Sequence, residues 1–186
     1  PVTGTSIAFL IDTSGSMDSP PAKKGPITGL RRTRTARTRL EAAKEQLVMA
    51  TQVMAPESQY YLLTFADNAR TWTRTPIRPG RNSTRLLTGL LSRLNARGGT
   101  NLYAGLIAAL ETEGRSYGDD ALPKIDELFI LSDGDPTTGE VRDTDSICEL
   151  VQQANNYAKI RINAVFTGTG KGAALLRRLA DENGGV

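Results

Sequence analysis

The sequence predicts an α/β fold: a doubly wound, mostly parallel sheet with helices on both faces and one short antiparallel edge strand. Short apolar runs, typical of buried strands, alternate along the chain with longer segments whose apolar residues recur at helical spacing. Polar loops that contain glycine follow two of these runs. In open α/β sheets such loops lie at the carboxyl edge, where ligands bind, so they hold the candidate site residues.

The first strand and the first helix have clear boundary signals. Residues 6–11 predict a buried strand that ends at Asp12. Thr38 and Glu41 fit a capping box, so a helix is predicted to begin there and to stop before Pro56. Its inward face is formed by apolar residues at helical spacing, namely Leu40, Ala43, Leu47, Ala50 and Met54.

A hairpin is predicted next. Residues 58–65 are rich in aromatic and aliphatic side chains and predict the second strand. Asp67 and Asn68 form a turn signal, and the alternating residues 69–75 suit an exposed edge strand. Trp72 on this strand is expected to cover a neighbouring helix rather than to mark a partner site.

Two helices are predicted after the hairpin. Ser83 is expected to cap the first of them, whose apolar face is Leu86, Leu87, Leu90, Leu91 and Leu94. The second spans about residues 101–113, which places Thr100 just before a helix N-terminus. A polar loop over residues 116–123 follows.

The end of the chain continues the alternation. Residues 125–131 and 162–166 predict two more buried strands. A helix that starts at Asp143 or Thr144 separates them. The last helix buries three leucines and ends at two glycines: Leu175, Leu176, Leu179, Gly184 and Gly185.

Composition limits the class of protein. With 186 residues, 39% hydrophobic and 23% charged, residues 1–186 are predicted to be one domain, and the start without Met indicates a piece of a larger protein with other domains. The chain has no histidine and one cysteine, Cys148, which excludes Ser-His-Asp, Cys-His and histidine–zinc chemistry and any internal disulfide. Cys148 is expected to be a small buried helix residue. No apolar stretch approaches the roughly 20 residues that span a bilayer, so no membrane span is predicted.

A basic, flexible insertion is predicted over residues 19–37. Prolines and glycines are frequent there, and no acidic residue lies between Asp18 and Glu41. The simplest interpretation is a solvated loop; the alternative is that its cations draw an acidic partner toward the neighbouring site. Nucleic-acid binding is not expected, because no aromatic residue interleaves the arginines to stack on bases. The cations of this region are Lys23, Lys24, Arg31, Arg32, Arg34, Arg37 and Arg39.

Oxygen donors gather in three segments. The first strand opens into Asp12-Thr13-Ser14-Gly15-Ser16, and Gly15 allows this loop to fold back so that its oxygens converge. Mg²⁺ prefers near-octahedral oxygen ligands, usually with one or two carboxylates, so one loop cannot complete its coordination. Two later segments are suited to complete it, Gly98-Gly99-Thr100-Asn101 and Leu131-Ser132-Asp133-Gly134-Asp135. The sequence therefore predicts a site for a hard divalent cation.

These three segments, in this order, resemble the von Willebrand factor type A (VWA) domain with its metal-ion-dependent adhesion site (MIDAS), and the resemblance covers nearly the whole chain. It implies a Rossmann-like fold in which Ser14, Ser16 and Thr100 contact the metal through hydroxyls, while Asp12 and Asp133 bind it directly or through water. It also implies that an Asp or Glu of a protein partner takes the open coordination position. Mg²⁺ is the expected cofactor, with Mn²⁺ or Ca²⁺ as alternatives.

The predicted function is a metal-dependent protein-binding module, an adhesion or interaction domain without enzymatic activity. One alternative is a structural or assembly domain of a larger complex with a vestigial metal site. Another is a Mg²⁺-dependent hydrolase or phosphotransferase with Asp12 as nucleophile; it is disfavoured because a haloacid-dehalogenase-like enzyme would carry an acid where this chain has Ser14. The insertion at residues 19–37 departs from the VWA pattern, in which the first loop is short. Location stays open, since extracellular or envelope adhesion and cytoplasmic assembly both use this motif.

Overall fold

The computed structural model describes residues 5–21, 37–73, 75–110, 125–156, 158–168 and 172–186. Its strands are β1 (Ser6–Asp12), β2 (Gln59–Phe65), β3 (Ala69–Thr71), β4 (Glu127–Ser132) and β5 (Arg161–Phe166). They form one five-stranded sheet in the order β3-β2-β1-β4-β5. All pairings are parallel except that of β2 with β3, which is antiparallel. The predicted sheet, with its short antiparallel edge, is confirmed.

Helices cover both faces of this sheet, as predicted. They are α1 (Arg39–Gln52), α2 (Arg81–Leu91), α3 (Leu102–Leu110), α4 (Thr144–Asn155) and α5 (Gly172–Glu182), and a single 3₁₀ turn covers Gly15–Asp18. Because side chains alternate along β1, Ile7, Phe9 and Ile11 join the core with α1 and α2, whereas Ala8 and Leu10 join the core with α3, α4 and α5. Every residue of β1 is buried, as expected for a central parallel strand.

Helix ends agree with the sequence signals at three positions and differ at one. Thr38 and Glu41 form the predicted capping box of α1, and the Asp143 carboxylate caps α4 by accepting a hydrogen bond from the Ser146 amide. Gly184, with φ of 68°, follows α5 in the left-handed conformation. The prediction that Ser83 caps α2 is wrong. The helix begins earlier, at Arg81 after Gly80, and the Ser83 hydroxyl instead donates to the Gly80 carbonyl.

The edge of the sheet is shorter than the predicted strand over residues 69–75. The strand ends at Thr71, although the Trp72 amide still donates to the Leu62 carbonyl at 2.9 Å. The Trp72 side chain is half-buried and packs against the core shared with α1 and α2, in agreement with its predicted covering role. The indole Nε1 donates to the Thr64 hydroxyl at 2.9 Å, and the Arg70 guanidinium lies 4.0 Å from the ring centre. The hydrogen bond to Thr64 and the cation–π contact with Arg70 therefore hold the indole against the edge of the sheet.

Some predictions concern residues outside the described part of the chain. Most of the basic insertion at residues 19–37 and the polar loop at residues 116–123 fall there. Cys148 lies within the described residues and is fully buried, as predicted. No helix in the described ranges has the length and apolar content needed to cross a bilayer.

Helix α3 packs closely on β2, and this packing positions the start of the helix beside the candidate site. The Phe65 ring occupies the space beside Gly105 so closely that a β-carbon there would lie 2.8 Å from ring carbon Cγ. The amide of Asn101, just before α3, donates to the Ala66 carbonyl at 2.7 Å. The N-terminal end of α3 is thereby held at the carboxyl end of β2, beside the end of β1.

Candidate metal-binding site

The candidate site lies where the strand order of the sheet reverses. β1 is flanked by β2 on one side and β4 on the other, so the connections leaving β1 and β4 diverge and open a crevice at their carboxyl ends. Asp12 is the last residue of β1, and Asp133 directly follows β4. Both carboxylates are buried, Asp12 completely. The fold thus brings two of the five predicted ligand residues to one crevice.

Both oxygens of the Asp12 carboxylate accept hydrogen bonds. The Ser14 amide donates to Oδ1 at 2.8 Å, and the Ser132 hydroxyl donates to Oδ2 at 2.6 Å. The Ser132 hydroxyl in turn accepts from the Gly134 amide at 2.9 Å. This chain of contacts links the ends of β1 and β4 and fixes the carboxylate orientation. Ser132 was part of a predicted motif, but its role as an orienting residue was not foreseen.

Burial dominates the acid–base behaviour of Asp12. Loss of solvent raises its pKa from 3.8 to about 6, although the hydrogen bonds from Ser132 and Ser14 oppose the shift; the nearby negative charge of Asp133 adds to it. Near neutral pH the carboxylate is therefore ionised in surroundings that stabilise the charge poorly. A cation bound beside it would relieve that cost.

The first loop brings two hydroxyls together. Ser14 is buried, and its Oγ lies 3.0 Å from that of Ser16, so either hydroxyl donates to the other. The 3₁₀ turn that starts at Gly15 folds the loop back, and the Met17 side chain anchors it by being fully buried. The first loop therefore holds the Ser14 and Ser16 hydroxyls together, and the Ser14 amide ties the loop to the Asp12 carboxylate.

The loop that carries Thr100 is tied to the first loop through the backbone. The Gly15 amide donates to the Gly98 carbonyl at 2.9 Å, and the Arg97 amide donates to the Thr13 carbonyl at 2.8 Å. Thr100 is buried, and its amide donates to the Thr137 hydroxyl at 2.8 Å. The Thr100 carbonyl accepts from the Thr137 amide at 3.0 Å. All three predicted segments thus meet in one hydrogen-bonded assembly.

Asp67 supports this loop, a role that sequence reasoning missed. Its Oδ1 accepts from the Gly99 amide at 2.8 Å, and its backbone carbonyl accepts from the Asn101 side-chain amide at 3.1 Å. Thr100 lies between these two anchors. In the sequence Asp67 precedes Asn68 and therefore resembles an ordinary turn residue, so no local signal distinguishes it.

The two carboxylate oxygens of Asp133 have different surroundings. Its Oδ2 pairs with Arg39 Nη1 at 2.6 Å. Its Oδ1 is buried and has no hydrogen-bond donor among the described residues. A buried carboxylate oxygen without a partner is costly, and a bound cation or a cation-bound water would satisfy it. Arg39 lies just after the predicted basic insertion and resembles its other cations in sequence, so its contact with Asp133 is a finding of the structure. Asp135 is exposed, consistent with a turn residue.

The donor chemistry fits a hard divalent cation. Within the described ranges, no group of three or more Asp, Glu, His or Cys side chains is arranged to hold a metal. The loops around the crevice instead carry two buried carboxylates, Asp12 and Asp133, and the hydroxyl-bearing residues Ser14, Ser16 and Thr100. Such an all-oxygen set suits Mg²⁺ or Mn²⁺ and leaves coordination positions for water or a ligand. The residues present therefore fit the group that the sequence predicts.

The fold and this loop arrangement define an open α/β domain with its site at the switch point of the sheet. Residues 7–135 match the family profile of the von Willebrand factor type A domain, so the chain belongs to that family. Among individual proteins, it is 26% identical over 188 residues to inter alpha-trypsin inhibitor heavy chain 4 from Mus musculus, covering 100% of this chain and 18% of that protein. It is 26% identical to inter-alpha-trypsin inhibitor heavy chain H2 from Homo sapiens, covering 97% of this chain and 17% of that protein.

Solved structures support the same fold. A von Willebrand factor type A protein from Catenulispora acidiphila superposes with a TM-score of 0.68 at 23% identity, over 97% of this chain and 37% of that one. The PilB minor pilin from Streptococcus sanguinis superposes with a TM-score of 0.65 at 14% identity, over 99% of this chain and 56% of that one. The chain spans less than a fifth of the curated relatives it matches, so their likeness concerns one part of much longer proteins.

Asp12 should make the stability of the metal-free domain depend on pH. The pKa of Asp12 is about 6 in the folded domain, above its ordinary value of 3.8, so the folded state holds this proton more tightly than the unfolded state does. The stability gained from the bound proton is fully present below pH 3.8 and is lost as the pH rises through about 6. Asp12→Asn should therefore raise the free energy of unfolding by about 2 kcal/mol near neutral pH and by much less near pH 4, measured by urea denaturation in chelator. Asp18→Asn, on the exposed side of the same loop, controls for the lost charge. An Asp12→Asn effect that is the same at both pH values would contradict this account.

Asp67 should act on cation binding through the Thr100 loop. Asp67→Ala removes the acceptor of the Gly99 amide and should weaken Mg²⁺ binding by about tenfold, as loss of an outer supporting contact commonly does. Asp67→Asn keeps a side-chain oxygen in the same place and is the matched control; its affinity should stay near that of the unmodified domain. Isothermal titration calorimetry measures both. Equal affinities for the alanine and asparagine variants would show that the contact does not position Thr100.

Proposed function

We propose that this domain is a protein-interaction module that holds a divalent cation and uses it to bind an acidic side chain of a partner. The observation that carries the proposal is the meeting of two buried carboxylates and three hydroxyl-bearing residues at the switch point of the sheet. The uncommitted Oδ1 of Asp133 points to the same conclusion, because a protein seldom buries such an atom without a use for it.

The five residues would hold the cation in two ways. Asp12 and Asp133 supply negative charge, and Ser14, Ser16 and Thr100 supply neutral oxygens. A bound Mg²⁺ would provide an electrophilic centre with a coordination position open to a carboxylate. The fixed Asp12 and the hydrogen-bonded Thr100 backbone keep the donors in place before a ligand arrives, which lowers the cost of binding.

Binding without catalysis is favoured by the contacts of Asp12. A nucleophilic carboxylate must be reached by a substrate, whereas the Asp12 side chain is fully buried and is oriented by hydrogen bonds from the Ser14 amide and the Ser132 hydroxyl. Ser14, two residues later, cannot serve as the second acid of a phosphotransferase. We therefore propose that the domain is not an enzyme.

We further propose that residues 1–186 form one domain of a larger protein. The relatives named above are several times longer than this chain, and it matches a single stretch of each. A structural or assembly domain with a vestigial metal site is the second candidate. The Arg39–Asp133 pair favours it, because this contact supplies positive charge at the site without any metal.

Cation binding separates these two candidates. Isothermal titration of the metal-free domain with Mg²⁺, Mn²⁺ and Ca²⁺ should show saturable binding, and saturating Mg²⁺ should raise the melting temperature, since a ligand that binds the folded state stabilises it. Both effects should disappear in Asp133→Ala and weaken in Thr100→Val. Thr88→Val, a matched loss of one hydroxyl on the exposed surface of α2, should leave binding intact. Absence of binding by the unmodified domain would favour the vestigial site.

Partner capture tests the second half of the proposal. Immobilised domain should retain its protein partner in Mg²⁺ and release it in chelator, because the bridging carboxylate requires the cation. Thr100→Val should retain less, and Thr88→Val should match the unmodified domain. A partner that stays bound in chelator, or that binds Thr100→Val equally well, would place recognition on another surface.

A further inference from the structure

Arg39 is a cation built into the candidate metal site. Its Nη1 lies 2.6 Å from Asp133 Oδ2 and 3.5 Å from the Ser16 carbonyl, so one guanidinium touches two of the three segments that converge there. The Arg39 and Asp133 side chains are 15% and 7% exposed, which makes this a largely desolvated pair. Its energy is therefore less screened than that of a surface ion pair.

The backbone fixes where this guanidinium starts. Arg39 is the first residue of α1, directly after the Thr38 cap, and its amide donates to the Ser19 carbonyl at 2.9 Å. This backbone hydrogen bond holds the start of α1 against the first loop. Among the described residues, Asp133 is the carboxylate that Arg39 pairs with, and Arg39 Nε is buried without a partner. The guanidinium therefore faces the crevice, where the ion pair with Asp133 is its strongest contact and its buried Nε has no acceptor within the described ranges.

Arg39 changes the charge of the crevice. Asp12 and Asp133 contribute −2, and Arg39 contributes +1, so the sum is −1 before any metal binds. A divalent cation brings this sum to +1, whereas it would bring a site without Arg39 to 0. A guanidinium cannot release its charge by deprotonation, so this difference persists across the physiological pH range.

We propose that Arg39 sets the cation affinity of the site by sharing Asp133 with the metal. This proposal rests on the proposed cation-binding function. Oδ2 stays with Arg39, and the uncommitted Oδ1 faces the metal position. Arg39 thereby weakens divalent-cation binding, keeps the metal-free crevice folded by offsetting its negative charge, and leaves the loaded site positive toward an acidic partner.

A purely structural tie between α1 and the loop after β4 makes a different prediction. If Arg39 only holds these elements together, its removal lowers stability and loosens Asp133, so cation affinity falls or stays the same. If Arg39 competes for the charge of Asp133, its removal lowers the stability of the metal-free domain but increases cation affinity. Lower stability of the metal-free domain together with higher cation affinity would therefore distinguish competition from a structural tie.

The experiment compares Arg39→Gln, Arg39→Lys and Arg81→Gln with the unmodified domain. Arg81→Gln removes an equal charge at the start of α2, far from the site. Its position is marked by Ile77, four residues earlier, which pairs with Tyr60 near the N-terminal end of β2, whereas the site lies at the carboxyl end of the sheet. Mn²⁺ and Mg²⁺ affinities are measured by isothermal titration, and melting temperatures are measured in chelator and in saturating Mg²⁺. Arg39→Gln should bind both cations about tenfold more tightly than the unmodified domain. Its melting temperature should be lower in chelator and should rise more on addition of saturating Mg²⁺. Arg39→Lys and Arg81→Gln should keep cation affinity within about twofold.

Three outcomes would overturn the proposal. Arg39→Gln that binds the cations no more tightly than the unmodified domain would reduce Arg39 to a structural tie, while the proposed metal site would stand. Equal tightening in Arg81→Gln would assign the effect to net charge rather than to the shared carboxylate. Absence of binding in both the unmodified domain and Arg39→Gln would remove the metal site and this inference with it.

Discussion

The structure depends on the burial of two like charges at the end of the central strands. Asp12 is fully enclosed, and Asp133 lies next to it with one oxygen unpaired among the described residues. Hydrophobic strands alone would not tolerate this arrangement, because each charge loses its water. The Ser14 amide, the Ser132 hydroxyl and the Arg39 guanidinium are the compensations visible in the fold. Each comes from a different segment, so the same electrostatic requirement that defines the site also holds β1, β4 and α1 together.

The sheet topology explains why these segments can meet. Parallel strands end at a common edge, and the reversal of strand order beside β1 separates the helices on the two faces and opens a crevice there. Apolar residues that alternate along β1 pack into both cores, and this packing fixes the position of the end of the strand. Oxygen donors that are held in place before a ligand arrives lose less conformational freedom on binding, which lowers the free-energy cost of binding.

Much of this arrangement was predictable from sequence, for a physical reason. Strands, helices and the segments that carry the candidate metal ligands leave local signals such as the apolar run before Asp12 and the capping box at Thr38. The supporting contacts do not. Asp67 resembles a turn residue, and Arg39 resembles one more cation in a basic region, because their roles arise only when distant segments fold together. The Ser83 prediction failed within one helix, since a hydroxyl that caps and a hydroxyl that bonds back to the preceding turn look alike in sequence.

The metal-free site and the proposed metal-loaded site differ in net charge. Without metal, the Arg39 contact offsets one of the two carboxylates, and burial raises the pKa of Asp12. With a divalent cation, the proposed sum becomes positive and an acidic side chain is the complementary ligand. A site with only two carboxylates would approach neutrality when loaded and would attract an anion less. Under this proposal, Arg39 both lowers the cation affinity of the site and directs the loaded site toward an acidic partner.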